Sequence, residues 1–189
     1  MTLLARARTT DTVAAANVGA PVLRTARLVL RAPRRSDARS YAALAGDRRV
    51  ATNTAHIPTP CGVEEAQQWI VTQALQRPDF VITLGGELIG ACSLDGRDRT
   101  PDLWYWIGVP FWGRGYATEA VRGLIAHAFG DLGHRVLSAS SRVSNPASRR
   151  VLDKSGFRWT GVGLCRIRAL GTSVPVDRFV REAAVGQIA

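Results

Sequence analysis

The chain has 189 residues, a formal net charge of +10, and an apolar share of 46%. That length suits one domain with a full core, and no apolar run approaches the ~20 residues of a membrane span. Cys61, Cys92 and Cys165 are odd in number, without paired spacing, and far in sequence from His56, His127 and His134. They imply neither a disulfide framework nor a metal site, and a reducing cytoplasm is the simplest setting.

Much of the charge sits early. Residues 1–35 hold seven Arg against the single acid Asp11, and Lys154 is the only Lys in the chain. Residues 1–22 lack the apolar core of a secretory signal and read as a disordered basic extension, which leaves 23–185 as the folded domain. A basic chain invites a nucleic-acid partner, but this uneven spread gives no ground for sequence-specific binding.

Residues 25–31 read as a strand and 36–44 as a helix capped by Ser36. Residues 47–62, with Pro58, Pro60 and Gly62, read as an irregular loop. A helix follows over 63–75, where Ala66, Trp69, Ile70 and Gln73-Ala74 stand at helical spacing. Residues 80–83 and 87–94 flank Gly85-Gly86, a hairpin signal. A polar turn over 95–102 leads into Leu103-Trp104-Tyr105-Trp106-Ile107-Gly108-Val109, aromatic and β-branched enough for a strand. Ala117, Ala120, Val121, Leu124, Ile125, Ala128, Phe129 and Leu132 mark one face of a helix running to about Leu132. A strand near 135–142, a short helix over 146–155, and strands near 157–168 and 175–182 complete an α/β single domain without repeats.

Two segments carry chemistry. Trp112-Gly113-Arg114-Gly115-Tyr116-Ala117-Thr118 connects strand to helix and sets free backbone N–H groups at a positive helix end, which suits phosphate or pyrophosphate. It is neither a Walker A loop nor a dinucleotide G-x-G-x-x-G. The plainer reading is a tight connection with glycines for packing. The second segment is Ser144-Asn145-Pro146-Ala147-Ser148, followed by Arg149-Arg150-Val151-Leu152-Asp153-Lys154-Ser155-Gly156-Phe157. Asn145 suits the N-cap, Pro146 the first helical position and Gly156 a left-handed stop, so alone it is a well-capped helix needing no function.

Together, at this spacing, the segments resemble the GNAT superfamily of N-acetyltransferases. They are most similar to the RimJ/RimL type, with its aromatic strand, G-x-G-Tyr-Ala-Thr turn, N-P-A-S and Lys/Arg-Ser/Leu-Gly-Phe helix end. The resemblance extends from about Thr25 to about Glu182. It implies a mixed, mostly antiparallel sheet flanked by helices, and acetyl transfer from acetyl-CoA to a primary amine by direct attack in a ternary complex. No metal is implied.

On that resemblance Gly113, Arg114, Gly115, Tyr116, Ala117 and Thr118 would hold the pyrophosphate. Ile107, Gly108 and Val109 would bond the pantetheine arm like an added strand, in a slot opened by divergence from residues 135–142. Where the wider superfamily often has Gln or Arg, Trp112 stands; aromatics occur there in the RimJ/RimL type, and it is expected to pack on the protein. Ser148 matches a position resembling a thiol-contacting residue, and would protonate the departing thiolate or, alternatively, only bond backbone. Asn145 would cap its helix and also offer its amide to the pantetheine.

Asp102 is the candidate base, directly or through water; the other reading is a solvated turn residue beside Asp95 and Asp98. Glu87 belongs to the hairpin turn, Tyr105 reads as core facing away from Trp104 and Trp106, and His127 reads as polar-face. The acceptor would be a protein N-terminal α-amine, including ribosomal ones, or a small amine, with its wall built from 44–64 and 165–176. An α-amine at pKa ~8 needs less base than a Lys amine at ~10.4, which favours the former. The alternative is a non-catalytic acyl-CoA sensor or docking module. A homodimer is left open.

Overall fold

The computed structural model describes residues 21–73, 79–96 and 100–184. Outside them lie most of the basic extension, the end of the helix read over 63–75, Asp98, and Val185 at the expected domain end. The elements in chain order are β1 (Leu23–Arg24), β2 (Leu28–Arg31), α1 (Ala38–Ala45), α2 (Arg48–Ala51), α3 (Val63–Gln73), β3 (Phe80–Leu84), β4 (Glu87–Asp95) and β5 (Asp102–Ile107). Then come α4 (Tyr116–Gly130), β6 (Val136–Arg142), α5 (Pro146–Lys154), β7 (Arg158–Ile167) and β8 (Thr172–Glu182). Among the described residues they form one sheet in the order β1-β2-β3-β4-β5-β6-β8-β7. Every neighbouring pair is antiparallel except β5 and β6.

Strand alternation splits the core in two. Leu30, Ile82, Ile89 and Leu103 pack with the Ala120, Val121, Leu124 and Ala128 stripe of α4 on one face. Val81, Ala91 and Trp106 pack with Tyr41, Ala45, Ala66 and Ile70 of α1 and α3 on the other. Each fully buried aliphatic side chain contributes about 1.5–3 kcal/mol, so both layers are strongly held on the sheet.

Several local expectations are corrected. Ser36 does not cap α1. A 3₁₀ turn, Arg35–Asp37, precedes that helix, and the Asp37 carboxylate accepts from Arg34 N–H at 2.6 Å and from both Arg31 guanidinium nitrogens at 2.8 Å. A carboxylate that meets a cation and a backbone donor together outcompetes a serine hydroxyl. The stretch over 47–62 is not wholly irregular, because Asp47 accepts from Arg49 N–H at 2.9 Å and starts α2. Leu132 lies beyond α4 and is exposed. His127 is 5% exposed, with Nδ1 2.7 Å from Asp131 Oδ2 and its ring edge-on to Phe80, so it belongs to the core side of α4.

Candidate active site

The parallel pairing of β5 with β6 ends almost as it starts. It comprises Asp102 opposite Ser138 and Leu103 opposite Ala139, after which Trp104 to Ile107 pair only with β4. From Ser140 to Arg142, β6 pairs only with β8. A wedge therefore opens toward the C-terminal ends of two parallel strands, where α4 and α5 begin. Ligands of open α/β sheets bind in such crevices.

Past Leu103 the backbone of β5 is bonded to groups other than β6. Gly108 N–H donates to Ile89 O at 2.8 Å, and Ile107 O accepts from the Trp112 indole N–H at 2.6 Å. Of the three residues expected along a pantetheine arm, these two have those groups committed inside the fold. Val109 opens a 3₁₀ turn, Val109–Phe111. Trp112 is half exposed and tied back to its own strand.

Gly113 and Gly115 both take left-handed backbone, with φ of 75° and 80°, conformations that cost non-glycine residues about 1–2 kcal/mol. The left-handed backbone, not crowding, is what calls for glycine at 113, since a Cβ there would meet no atom within 4 Å. The first helical bond of α4 runs from Glu119 N–H to Gly115 O, leaving Tyr116, Ala117 and Thr118 N–H outside the helical ladder. An exposed, glycine-shaped turn with several donors at a positive helix end fits a pyrophosphate.

A clamp from the connection between β1 and β2 braces this turn, and no local sequence signal marks it. The Glu119 carboxylate accepts from Thr25 hydroxyl at 2.6 Å, and from Arg27 N–H and Nε at 2.7 Å each. Arg27 also donates to Arg114 O at 3.1 Å and lies 4.5 Å over the Tyr116 ring. Burial alone would raise the Glu119 carboxyl, but the Thr25 and Arg27 bonds outweigh it and hold the group below its ordinary value. These partners are more than 85 residues apart, beyond any local spacing rule.

At the start of α5, Asn145 Oδ1 accepts from Ser148 N–H at 3.1 Å with Pro146 next, the cap read from sequence. Ser148 Oγ in turn lies 2.9 Å from the Tyr105 hydroxyl. Burial pushes the Tyr105 phenol up to about 12, and the Ser148 bond pulls the other way. The phenol is therefore protonated at neutral pH. Alternation correctly turned Tyr105 away from Trp104 and Trp106, but its contact 43 residues downstream was not visible in the sequence. Asn145→Asp should keep the cap acceptor and change stability by no more than ~1 kcal/mol, while lost amide donation and added charge lower turnover. Thermal melting and steady-state kinetics check this; unaltered turnover would leave Asn145 as a cap alone.

Asp102 lies where the two strands are still joined, accepting from Ser138 Oγ at 2.9 Å. Burial raises its carboxyl and Asp95, its cross-strand partner, adds to this; Ser138, His56 and Arg178 pull it down without cancelling the rise. Alternation puts Asp102 on the Trp104 and Trp106 face of β5 and Tyr105 on the other, about 10 Å along the strand. A direct proton transfer does not cover that span, so a reacting amine would have to stand between them. Glu87 is exposed in its hairpin. On the Asp102 face, Arg168 N–H donates to Ala55 O at 3.0 Å and Arg142 to Thr52 O at 2.7 Å. The first of those bonds joins the two segments expected to form an acceptor wall, and the second ties the 44–64 segment to the end of β6.

Among the described residues no cluster of His, Cys, Asp or Glu could hold a metal, and no helix is long and apolar enough to cross a membrane.

Comparison with known proteins agrees with this architecture. The family model described as an acetyltransferase (GNAT) domain matches residues 27–158. YdaF of Bacillus subtilis (strain 168), named as a ribosomal N-acetyltransferase, is 37% identical over 75 residues, covering 38% of this chain and 41% of YdaF. The chain thus aligns with under half of that relative's length. The structure of RimL, titled as the ribosomal L7/L12 α-N-protein acetyltransferase in complex with coenzyme A, superposes with a TM-score of 0.77 at 18% identity, covering 86% of this chain and 98% of RimL. Mycobacterium smegmatis RimJ, in complex with CoA-disulfide, gives 0.76 at 21% identity over 87% of this chain and 88% of RimJ. Both structural likenesses show the fold.

Proposed function

The chain belongs to the GNAT acetyltransferase family and is an acetyl-CoA-dependent acetyltransferase, and from that premise we propose that it acetylates a primary amine by direct attack in a ternary complex. The acceptor is a protein N-terminal α-amine or a small amine. The observation that carries this reading is the wedge between β5 and β6. It opens immediately past Leu103, with the glycine turn at its mouth and Ser148 and Tyr105 on one wall.

Bound acetyl-CoA supplies an activated acyl group and a thiolate leaving group. Gly113 to Thr118 anchor its pyrophosphate through backbone N–H groups, and the Arg27–Glu119 clamp keeps those donors aimed. Residues 107–109 at the end of β5, together with Asn145, line the path of the pantetheine arm. The hydroxyls of Tyr105 and Ser148, already hydrogen-bonded, pass a proton to a sulfur leaving on their side of β5, and the second proton, shed by the amine nitrogen as the C–S bond breaks, returns to them through solvent. Asp102, on the other face, accepts a proton from the incoming ammonium, directly or through water. Its raised carboxyl makes it a better base than an ordinary aspartate once ionised. Acid and base then act from opposite faces of one strand.

Tyr105→Phe and Ser148→Ala should each lower kcat several-fold while leaving acetyl-CoA affinity close to wild type, because a thiol of pKa ~8.5 needs modest help to leave. Affinity lost in step with kcat would make the pair a cofactor contact rather than an acid. The acceptor class is tested by a thiol-release screen against N-terminal peptides, polyamines and aminoglycosides. Turnover with peptides that a blocked N terminus abolishes supports the α-amine reading, which the name of RimL also favours.

A further inference from the structure

On the Asp102 face of the sheet, acids stand at one end of the wedge and arginines further along it. Asp102 is paired with Ser138 of β6 and with Asp95 of β4, so both carboxylates occupy one row. Two residues along β6, about 7 Å, Ser140 is paired with Arg178 of β8, and two more bring Arg142. Alternation puts Ser138, Ser140 and Arg142 on one face, and cross-strand pairing adds Arg178 as a diagonal neighbour of Arg142, about 7–8 Å away. Asp177, next to Arg178 on β8, belongs to the opposite face, where Arg149 and Trp159 hold it.

The two arginines are placed without being neutralised. Arg142 Nη1 donates to Thr52 O, a neutral carbonyl, which fixes the side chain against the 44–64 segment. Arg178 lies flat across β7: Gly161 stands directly opposite it, and a Cβ on Gly163 would run into its guanidinium. Ser140 and Arg178 are exposed, so this part of the face is open. Among the described residues neither guanidinium forms an ion pair, whereas Arg27, Arg31, Arg49, Arg149 and Arg158 each do. Exposed cations are ordinary on a basic chain. Solubility does not explain why one is tied to the expected acceptor wall and the other reaches the candidate base. The Arg178 charge pulls the Asp102 carboxyl down, and it acts likewise on the Cys165 thiol in the 165–176 wall.

Such a slot is bipolar. A protonated amine is drawn to Asp95 and Asp102, and a negative group further along is drawn to Arg178 and Arg142, whose guanidinium forks match a carboxylate. A polyamine or an aminoglycoside would carry cations toward those arginines and be disfavoured by like charge. The 7 Å step between rows is about two residues of extended chain. We propose that the acceptor is a peptide with an acidic side chain at its second or third residue, selected by Arg178 and Arg142. The proposal rests on the amine-acetylation reading above and narrows its acceptor.

Thiol release by the whole chain tests it with five free amines. Three are tetrapeptide amides carrying two Glu, two Gln or two Lys at their second and third positions; the others are free glutamate and spermidine. In the wild type, kcat/KM for the Glu peptide should exceed that for the Gln peptide by about tenfold or more, carried mainly by KM, with the Lys peptide and spermidine lowest. Arg178→Gln and Arg142→Gln should each shrink the Glu-over-Gln ratio several-fold, and Arg178→Glu should turn the preference toward the Lys peptide. Acetyl-CoA affinity in calorimetry should match wild type in all three variants, which shows that they are folded. A wild-type ratio near one, a ratio unaltered in the variants, or fastest turnover with spermidine or free glutamate overturns the proposal. Transfer to none of the five with acetyl-CoA bound would instead count against the amine-acetylation reading itself, and the proposal would fall with it.

Discussion

Gly115→Glu should reduce acetyl-CoA affinity by at least two to three orders of magnitude in calorimetry. Three effects add. Gly115 caps α4 with φ of 80°, a conformation that any L side chain adopts at a cost of about 1–2 kcal/mol. The new carboxylate would stand among the N–H donors that we propose hold a doubly charged pyrophosphate, and repulsion there costs several kcal/mol once the ligand partly desolvates the turn. It would also approach Arg27, whose Nη2 lies 3.5 Å from where the Cβ would be, and compete with Glu119 for the clamp. Gly115→Ala separates these effects: it carries the backbone strain without the charge, so it should lower melting while losing far less affinity. Unchanged binding in Gly115→Glu would remove the turn from the cofactor site.

Asp102→Asn should lower kcat/KM by roughly 10²-fold or more if Asp102 is the base. The variant still accepts from Ser138 through its amide oxygen, so local structure should hold. The pH dependence has a definite sign. Burial raises the Asp102 carboxyl above its unfolded value, so the base form appears only as pH rises through that raised value. Wild-type activity should show a rising limb there, and the variant should lose or shift it. Stability runs the opposite way. The stabilising contribution of protonated Asp102 is present below the unfolded pKa and is lost as pH rises through the folded one. At neutral pH the asparagine variant should therefore melt at or above wild type while being far less active. A loss under threefold would move the base to water or to another residue.

Much of the fold was legible because it is written in local chemistry. The apolar stripe of α4, the Asn145-Pro146 start and Gly156 end of α5, and the Gly85-Gly86 hairpin each depend on residues within a few positions of one another. The errors have the same origin. Ser36 has the local credentials of a cap, whereas the bond from Arg31 to Asp37 depends on how β2 enters α1. His127 reads as polar-face from its residue type alone, whereas its position on α4 sets it against Phe80. The site is less local than the fold. Its glycine turn and Asn145-to-Ser148 segment were readable, whereas the Arg27–Glu119 clamp, the Tyr105–Ser148 bond and the Arg142 and Arg178 pair join residues tens of positions apart. The parting of β5 and β6 has no sequence signal of its own; the pairing stops after Leu103 opposite Ala139, and Ile107 O accepts from the Trp112 indole instead of from β6.

The central claim is transfer of acetyl from acetyl-CoA to an amine without a covalent enzyme intermediate, and intact-mass spectrometry tests it most directly. The protein is mixed with acetyl-CoA alone, and then with acetyl-CoA and an unblocked N-terminal peptide or polyamine. The account predicts that acetyl appears on the acceptor amine, with one free thiol released per acetyl transferred. It also predicts that the protein mass stays unchanged when acetyl-CoA is present alone. An acetylated protein that then hands its acetyl to the amine would contradict direct attack. Tight acetyl-CoA binding with no acetyl transferred to any amine offered would contradict the enzyme reading and leave a sensor.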